Sequence, residues 1–223
     1  MVFGVQKIST TRLRLAIGLS AIPFVALFIR DGLLTARSTR TESATHQLFL
    51  ARLSAAAIER TRHHVRYDPA YVRIPYPGGD VPPDTGVCTD EVIRAYRALG
   101  IDLQKEVYED MLRDLSAYPH HGRWLLTRRD PNIDHRRVPN LMVFFERNGE
   151  SLAVTNRAEG YFPGDLVTWN LGGGISHIGI VVDRRSPGSG RYMIVHNIGA
   201  GPQMEDVLFS WKVTGHFRYF GPS

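Results

Sequence analysis

Pro163-Gly-Asp-Leu-Val-Thr-Trp-Asn-Leu-Gly-Gly-Gly-Ile-Ser-His-Ile-Gly-Ile-Val-Val-Asp183 is the stretch that decides the fold class. Two apolar runs, Asp165 to Asn170 and Ser176 to Asp183, flank the turn Gly172-Gly173-Gly174. β-Branched residues bounded by glycine read as strands joined by a hairpin. Downstream the pattern repeats. Arg191 to His196 follows the turn Pro187-Gly188-Ser189-Gly190, and Gly215 to Phe220, with Lys212 to Thr214 contributing, follows Gly199-Ala200-Gly201. The short connections predict an antiparallel meander.

Upstream the periodicity changes to that of helices. His46 to Arg62 places Leu50, Leu53, Ala57 and Ile58 on one face. Tyr67 to Gly86 contains Pro69, Pro75, Pro77, Pro82 and Pro83, which exclude regular helix, although Tyr71 to Ile74 has the composition of a short strand. A helix is predicted to begin near Cys88, with Val92, Tyr96 and Leu99 inward, Asp84 and Thr85 available as caps, and Gly100 as terminator. Further helices are expected from Leu103 to Ala117 and from Pro139, in the favoured first position, to Gly149. Helices first and a sheet afterwards is an α+β arrangement.

The chain of 223 residues suits one domain with appendages. An apolar fraction of 43%, with ten Phe, nine Tyr and three Trp, excludes wholesale disorder. The net charge of +5 suits an anionic surface such as phospholipid or wall polymer. No compact basic run interleaved with aromatics points to nucleic acid. Lys7, Arg12 and Arg14 precede an uncharged run from Leu15 to Ile29, closed by Arg30 and Asp31. The positive, apolar, polar order predicts export. Residues 1–36 read as a signal peptide or an uncleaved inner-membrane anchor, 37–45 as a linker and 46–223 as the folded domain.

Cys88 is the one cysteine, so no internal disulfide forms. A lone thiol is either a small buried apolar residue or a nucleophile. A free thiol with a pKa of about 8.5 is mostly protonated near neutrality, and a helix N-terminus favours its anion. The same end offers backbone donors to an oxyanion. An imidazole must exchange the proton, and a third polar group must orient that ring. His177 opens one predicted strand and His196 ends the next, toward the same end of a hairpin. Asn197 is the alternative third group, but alternation turns it to the opposite face. The competing reading of each histidine is a satisfied structural residue. Cys88, His177 and His196 as zinc ligands lack any paired Cys-x-x-Cys or His-Glu-x-x-His signature, so no metal and no cofactor is expected.

Tyr76-Pro-Gly-Gly, the helix opened by Cys88, Pro163-Gly-Asp-Leu-Val and His177-Ile-Gly-Ile-Val together resemble the NlpC-like (papain-like) cell-wall cysteine peptidase superfamily. Tyr67-Asp-Pro-Ala-Tyr, Asp130-Pro-Asn-Ile-Asp-His-Arg-Arg-Val-Pro-Asn and Ile194-Val-His-Asn-Ile-Gly are similar to one branch of it, the domain of unknown function family 1287. The resemblance spans about Ala44 to Phe220. It implies a papain-like core with Cys88, His177 and His196 on the three active-site positions, and hydrolysis of amide bonds in peptidoglycan peptides. Two departures are plain. Val87-Cys88-Thr89 stands where better-known members carry Asp-Cys-Ser, a motif tied to reading a free amine, and an insertion from Asp102 to Gly160 separates helix from sheet. Tyr76 is a candidate cleft residue; its other reading is packing of a Pro-rich loop. Arg136 and Arg137, in the run Arg128 to Arg137, are candidates for substrate carboxylates or wall phosphates, or else belong to a salt-bridged loop with Asp130 and Asp134. The expected reaction is a cysteine amidase or peptidase on cell-wall peptide, periplasmic or at the inner-membrane surface. A thiol acyltransferase acting on lipid or peptide, and a non-catalytic wall-binding module, are the rival expectations.

Overall fold

The computed structural model describes residues 1–2, 43–119 and 128–222. The predicted export segment, with its apolar run 15–29, and the charged residues His120 to Thr127 lie outside the described residues. Among the described residues no helix is long and apolar enough to cross a membrane. One compact unit runs from Ala44 to Ser223.

Among the described residues, 43–60 form the first helix, α1. Its buried stripe is Leu53 and Ala57, one helical turn apart. The Pro-rich segment that follows contributes only β1 (Arg66–Tyr67) and β2 (Thr85–Gly86), paired in parallel. Tyr71 to Ile74 forms no strand. A single residue, Val87, then joins β2 to α2 (Cys88–Arg97). Asp84 and Thr85 do not cap this helix, because Thr85 belongs to β2 and Val87 takes the cap position; Asp90, inside the first turn, accepts the Val87 N–H at 2.7 Å. The next helix, α3 (Leu103–Arg113), is shorter than expected. The Asp114 carboxylate accepts from the Ser116 and Ala117 N–H groups, turning Leu115–Ala117 into a separate 3-10 turn. A second 3-10 turn, Asp134–Arg136, leads into α4 (Val138–Asn148), where Pro139 takes the second helical position rather than the first.

All pairings in the main sheet are antiparallel, in the order β3-β8-β4-β5-β6-β7. Its strands are β3 (Glu150–Ser151), β4 (Leu166–Asn170), β5 (Ser176–Arg185), β6 (Tyr192–Asn197), β7 (Pro202–Glu205) and β8 (Lys212–Arg218). The meander expectation therefore holds for β4 to β7 only. The chain then crosses back, and β8 pairs with β4 on its other side. β7 is an additional strand that the sequence pattern did not announce.

Strand alternation gives the sheet two buried faces. Ile178, Ile180 and Val182 of β5 join Val92, Ile93 and Tyr96 of α2, together with Phe144, Phe145, Phe217 and Tyr219, in the larger core cluster. Tyr96 is fully buried, and its hydroxyl donates to the Tyr219 carbonyl at 3.0 Å, satisfying the one polar atom it brings inside. Val167, Trp169, Val181 and Ile194 form a smaller cluster with Leu208 and Tyr161. The β7–β8 crossover covers that cluster: Trp169 Nε1 donates to the Leu208 carbonyl at 2.9 Å, and Trp211 meets Trp169 edge to face. Gly164, at φ +91°, lets the chain enter β4 close beneath α1; a Cβ there would lie 2.7 Å from the Leu50 Cβ.

The expected α+β class is therefore the one observed. Helices come first in the chain, the antiparallel sheet follows, and the helix opened by Cys88 packs on that sheet.

Candidate active site

Cys88 occupies the first position of α2 and is 6% exposed. Its side chain belongs to the larger core cluster, and it also lines a cleft of about 460 Å³ with Tyr67, Tyr71, Ile133, Arg137 and Ile175. Burial pushes the thiol up to about 12. The backbone N–H groups of Ile178, Thr89 and Cys88 itself oppose that rise without overcoming it. The helix N-terminus is thus outweighed by desolvation, and in the free protein the sulfur carries its proton. The Ile178 N–H contact fixes the sulfur against the backbone of β5, one residue past His177.

His177 is 2% exposed at the second position of β5. Its Nε2 lies 2.8 Å from Nδ1 of His196 on β6, and the rings meet edge to face. Trp169, the direct cross-strand neighbour of His177, and Trp211 enclose the pair. Burial, and then the neighbouring His196, lower His177 to about 3. Both rings are therefore neutral near pH 7, and one of the two facing nitrogens carries the proton. Gly179 makes the approach of β6 possible: a Cβ there would fall 2.7 Å from Ile194 Cγ2 and 3.1 Å from His196 Cβ. Asn197, the alternative third group, is fully buried, and its Oδ1 accepts from the Gly199 N–H at 3.1 Å.

The first turn of α2 is anchored by an ion pair. Arg136 Nε and Nη2 donate to the two Asp90 oxygens at 2.7 and 2.9 Å, with both side chains 2% exposed. Thr89 donates to the Arg136 carbonyl at 3.0 Å, so the insertion is stitched to the nucleophile helix at two points. Through this contact the insertion supplies Ile133, Arg136, Arg137 and Val138 to the cleft wall. Of its two expected readings the ion-paired one describes Arg136 here, with Asp90 rather than Asp130 or Asp134 as the partner, while its side chain still borders the cleft. Arg137 lies at the cleft and pairs with Asp134 at 3.2 Å. Tyr76 is not among the residues lining the cleft. It is 41% exposed and packs on Tyr108 with ring centroids 4.9 Å apart, so the packing reading of the Pro-rich loop is the one observed.

Two features at the site were not expected from the sequence. Tyr67, on β1 beside the strand that leads to Cys88, lines the cleft. Glu205 on β7 places Oε2 2.9 Å from His196 Nε2. No local signal marks either; both depend on strand pairing across many residues. His216 has a structural role, with Nε2 2.7 Å from the buried Asp165 carboxylate. Among the described residues no group of three or more His, Cys, Asp or Glu side chains is arranged to hold a metal ion.

The fold and site define an α+β protein with a cysteine at the start of a helix, a histidine pair in the adjoining sheet and a cleft at the cysteine. The chain belongs to the domain of unknown function family DUF1287, whose model matches residues 54–219. It is 51% identical over 154 residues to the uncharacterized protein YijF of Escherichia coli (strain K12), an alignment that covers 69% of this chain and 74% of that protein. Among solved structures it is similar to NlpC1 from Trichomonas vaginalis, at 16% identity and TM-score 0.37, covering 78% of this chain and 45% of that one. It is also similar to NlpC2 from the same organism, at 17% identity and TM-score 0.39, covering 76% and 47%. The chain thus spans just under half the length of these two solved proteins.

Proposed function

We propose that this protein is a cysteine hydrolase, an amidase or peptidase, that cleaves amide bonds in cell-wall peptides outside the cytoplasm, with Cys88 as nucleophile, His177 as base and His196 as the group that orients His177. The observation that carries this reading is the seating of Cys88. The one thiol opens onto a cleft at the start of a helix and contacts the backbone N–H that follows a histidine bonded to a second histidine.

The chemistry follows from the charge states. With the thiol raised and the imidazole lowered by burial, the resting pair is neutral. His177 Nε2 is engaged by His196, which leaves Nδ1 for the proton exchange this reading requires. No hydrogen bond joins His177 to Cys88 among the described residues, and Ser176 rather than His177 lines the cleft, so the ring must reach the sulfur once substrate is bound. His177 takes the thiol proton as the sulfur bonds to the substrate carbonyl carbon. The oxyanion forms beside the N–H groups at the start of α2. Collapse breaks the C–N bond, and the amine leaves with the proton from His177. Water then attacks the thioester, giving one proton to His177; the sulfur leaves as the acid is released and recovers that proton. Displacement of water by substrate brings a polar carbonyl against the buried thiol, so reactivity develops in the complex rather than in the free protein.

The export reading rests on the basic and apolar order of the first 36 residues, and the mild positive charge supports approach to an anionic wall or membrane surface. The test uses wall-derived peptides, intact wall and lipid acyl donors with the purified full chain, followed by mass spectrometry. Expected are a hydrolysed peptide, a thioester adduct on Cys88, and loss of both in Cys88→Ala with binding retained. Transfer of the acyl group to a non-water acceptor would make the protein a transferase. Retained wall binding without any adduct would make it a binding module.

A further inference from the structure

The sheet face that holds the histidine pair carries one more titratable group in the same hydrogen-bonded line. Glu205 stands opposite Ile194 in the β6–β7 register, which sets it on the same face as His196, diagonally placed. Its Oε2 lies 2.9 Å from His196 Nε2, while His196 Nδ1 lies 2.8 Å from His177 Nε2. The Glu205 side chain is 47% exposed and that of His196 is fully buried. The line therefore runs from solvent through two enclosed rings.

Proton bookkeeping along this line has two registers. A carboxylate only accepts hydrogen bonds. Against an ionised Glu205, His196 must carry its proton on Nε2, which leaves Nδ1 with a lone pair. That lone pair is satisfied only by a proton on Nε2 of His177, and His177 then presents Nδ1 unprotonated. In the opposite register His196 donates from Nδ1, and His177 holds its proton on Nδ1, where it cannot accept one from the thiol. The two registers form the same number of bonds between the rings, so the ring pair alone does not choose.

We propose that Glu205 is a positioning residue that selects the productive register, holding both histidines as their Nε2–H tautomers. The proposal deepens the function given above and rests on it. The titratable groups that face His196 are His177 from β5 and Glu205 from β7. The elements around the pair contribute Trp169 from β4 and Trp211 ahead of β8, neither of which titrates in this role. Burial lowers His196 and Glu205 opposes that, as its placement requires.

Two-bond proton–nitrogen correlation spectra of the full chain near pH 7 read the tautomers directly, whatever the substrate. The wild type is expected to show His196 and His177 as Nε2–H forms. In Glu205→Ala a second population with His196 protonated on Nδ1 is expected. Glu205→Gln keeps the shape and guards against a folding defect in the alanine variant; its amide can accept from or donate to His196, so the second population is expected there too. Alkylation of Cys88 by iodoacetamide should slow about twofold in Glu205→Ala, since with neither register favoured about half the molecules hold His177 in the form that cannot take the thiol proton. Its acid limb should move to lower pH, since removing the carboxylate removes what raises His196. An Nδ1–H His196 in the wild type, or a tautomer and limb unmoved in Glu205→Ala, overturns the role of Glu205. Failure of wild-type Cys88 to form an adduct with any wall-derived peptide or acyl donor overturns the proposed hydrolase instead, and the spectra still decide the tautomer question.

Discussion

Removing either partner of the Asp90–Arg136 pair should destabilise the protein by several kcal/mol and loosen the nucleophile at the same time. Both side chains are buried, and the two contacts are short and parallel. Asp90 has a second duty, because it also accepts the Val87 N–H immediately before Cys88. In Arg136→Met the carboxylate keeps that N–H but loses its counter-charge, and an uncompensated buried charge costs about 3–5 kcal/mol. Asp90→Asn keeps an acceptor for Val87 and strands the guanidinium, whose remaining contact is the Ala70 carbonyl at 3.3 Å, so a loss of about 3 kcal/mol is expected. The double variant leaves no stranded charge. Its loss should fall short of the sum of the two singles by about 2 kcal/mol. Urea unfolding of the full chain measures this as a lower midpoint at constant slope. For a domain of this size the melting temperature should drop by about 10 °C in each single variant. Single losses below about 1 kcal/mol, or strict additivity, would show that the pair is not the anchor described here.

Three further outcomes are expected. Gly179→Ala places a methyl 2.7 Å from Ile194 Cγ2 and should cost about 1–3 kcal/mol in thermal unfolding while displacing His196, seen as a changed imidazole spectrum; an unchanged spectrum would separate Gly179 from the site. Asp165→Asn loses the carboxylate that His216 and Arg218 contact at 2.7 and 2.6 Å, and a loss of about 3 kcal/mol in the same assay is expected, with a value near zero counting against a structural role for His216. Burial lowers both His135 and His177 to about 3, from an ordinary value of 6.5. Between those limits the unfolded chain binds the extra protons, so these groups make stability fall on acidification from pH 6.5. His135→Met should flatten that fall by up to about 1.4 kcal/mol per pH unit, and an unaltered pH dependence in urea midpoints would refute it.

Sequence order alone determined the elements whose signal is local. The alternation in Ser176 to Asp183, the glycine turns on either side of β5, and the spacing of Val92 and Tyr96 each report a face within a few residues, and the structure has those strands and that helix. The position of Cys88 at a helix start was legible for the same reason. Tertiary structure decided what depends on partners far apart in the chain. β8 returns beside β4, which no turn signal specifies, and Pro202 to Glu205 becomes a strand only because β6 offers an open edge. Arg136, in sequence a candidate either for a substrate or for an ion pair with Asp130 or Asp134, pairs with Asp90 46 residues away. The thiol, favoured as an anion by the helix end, stays protonated because the assembled core removes water from it. Periodicity is written in neighbouring side chains, whereas burial and ion pairing are set by which surfaces close together, and that is settled only when the whole core assembles.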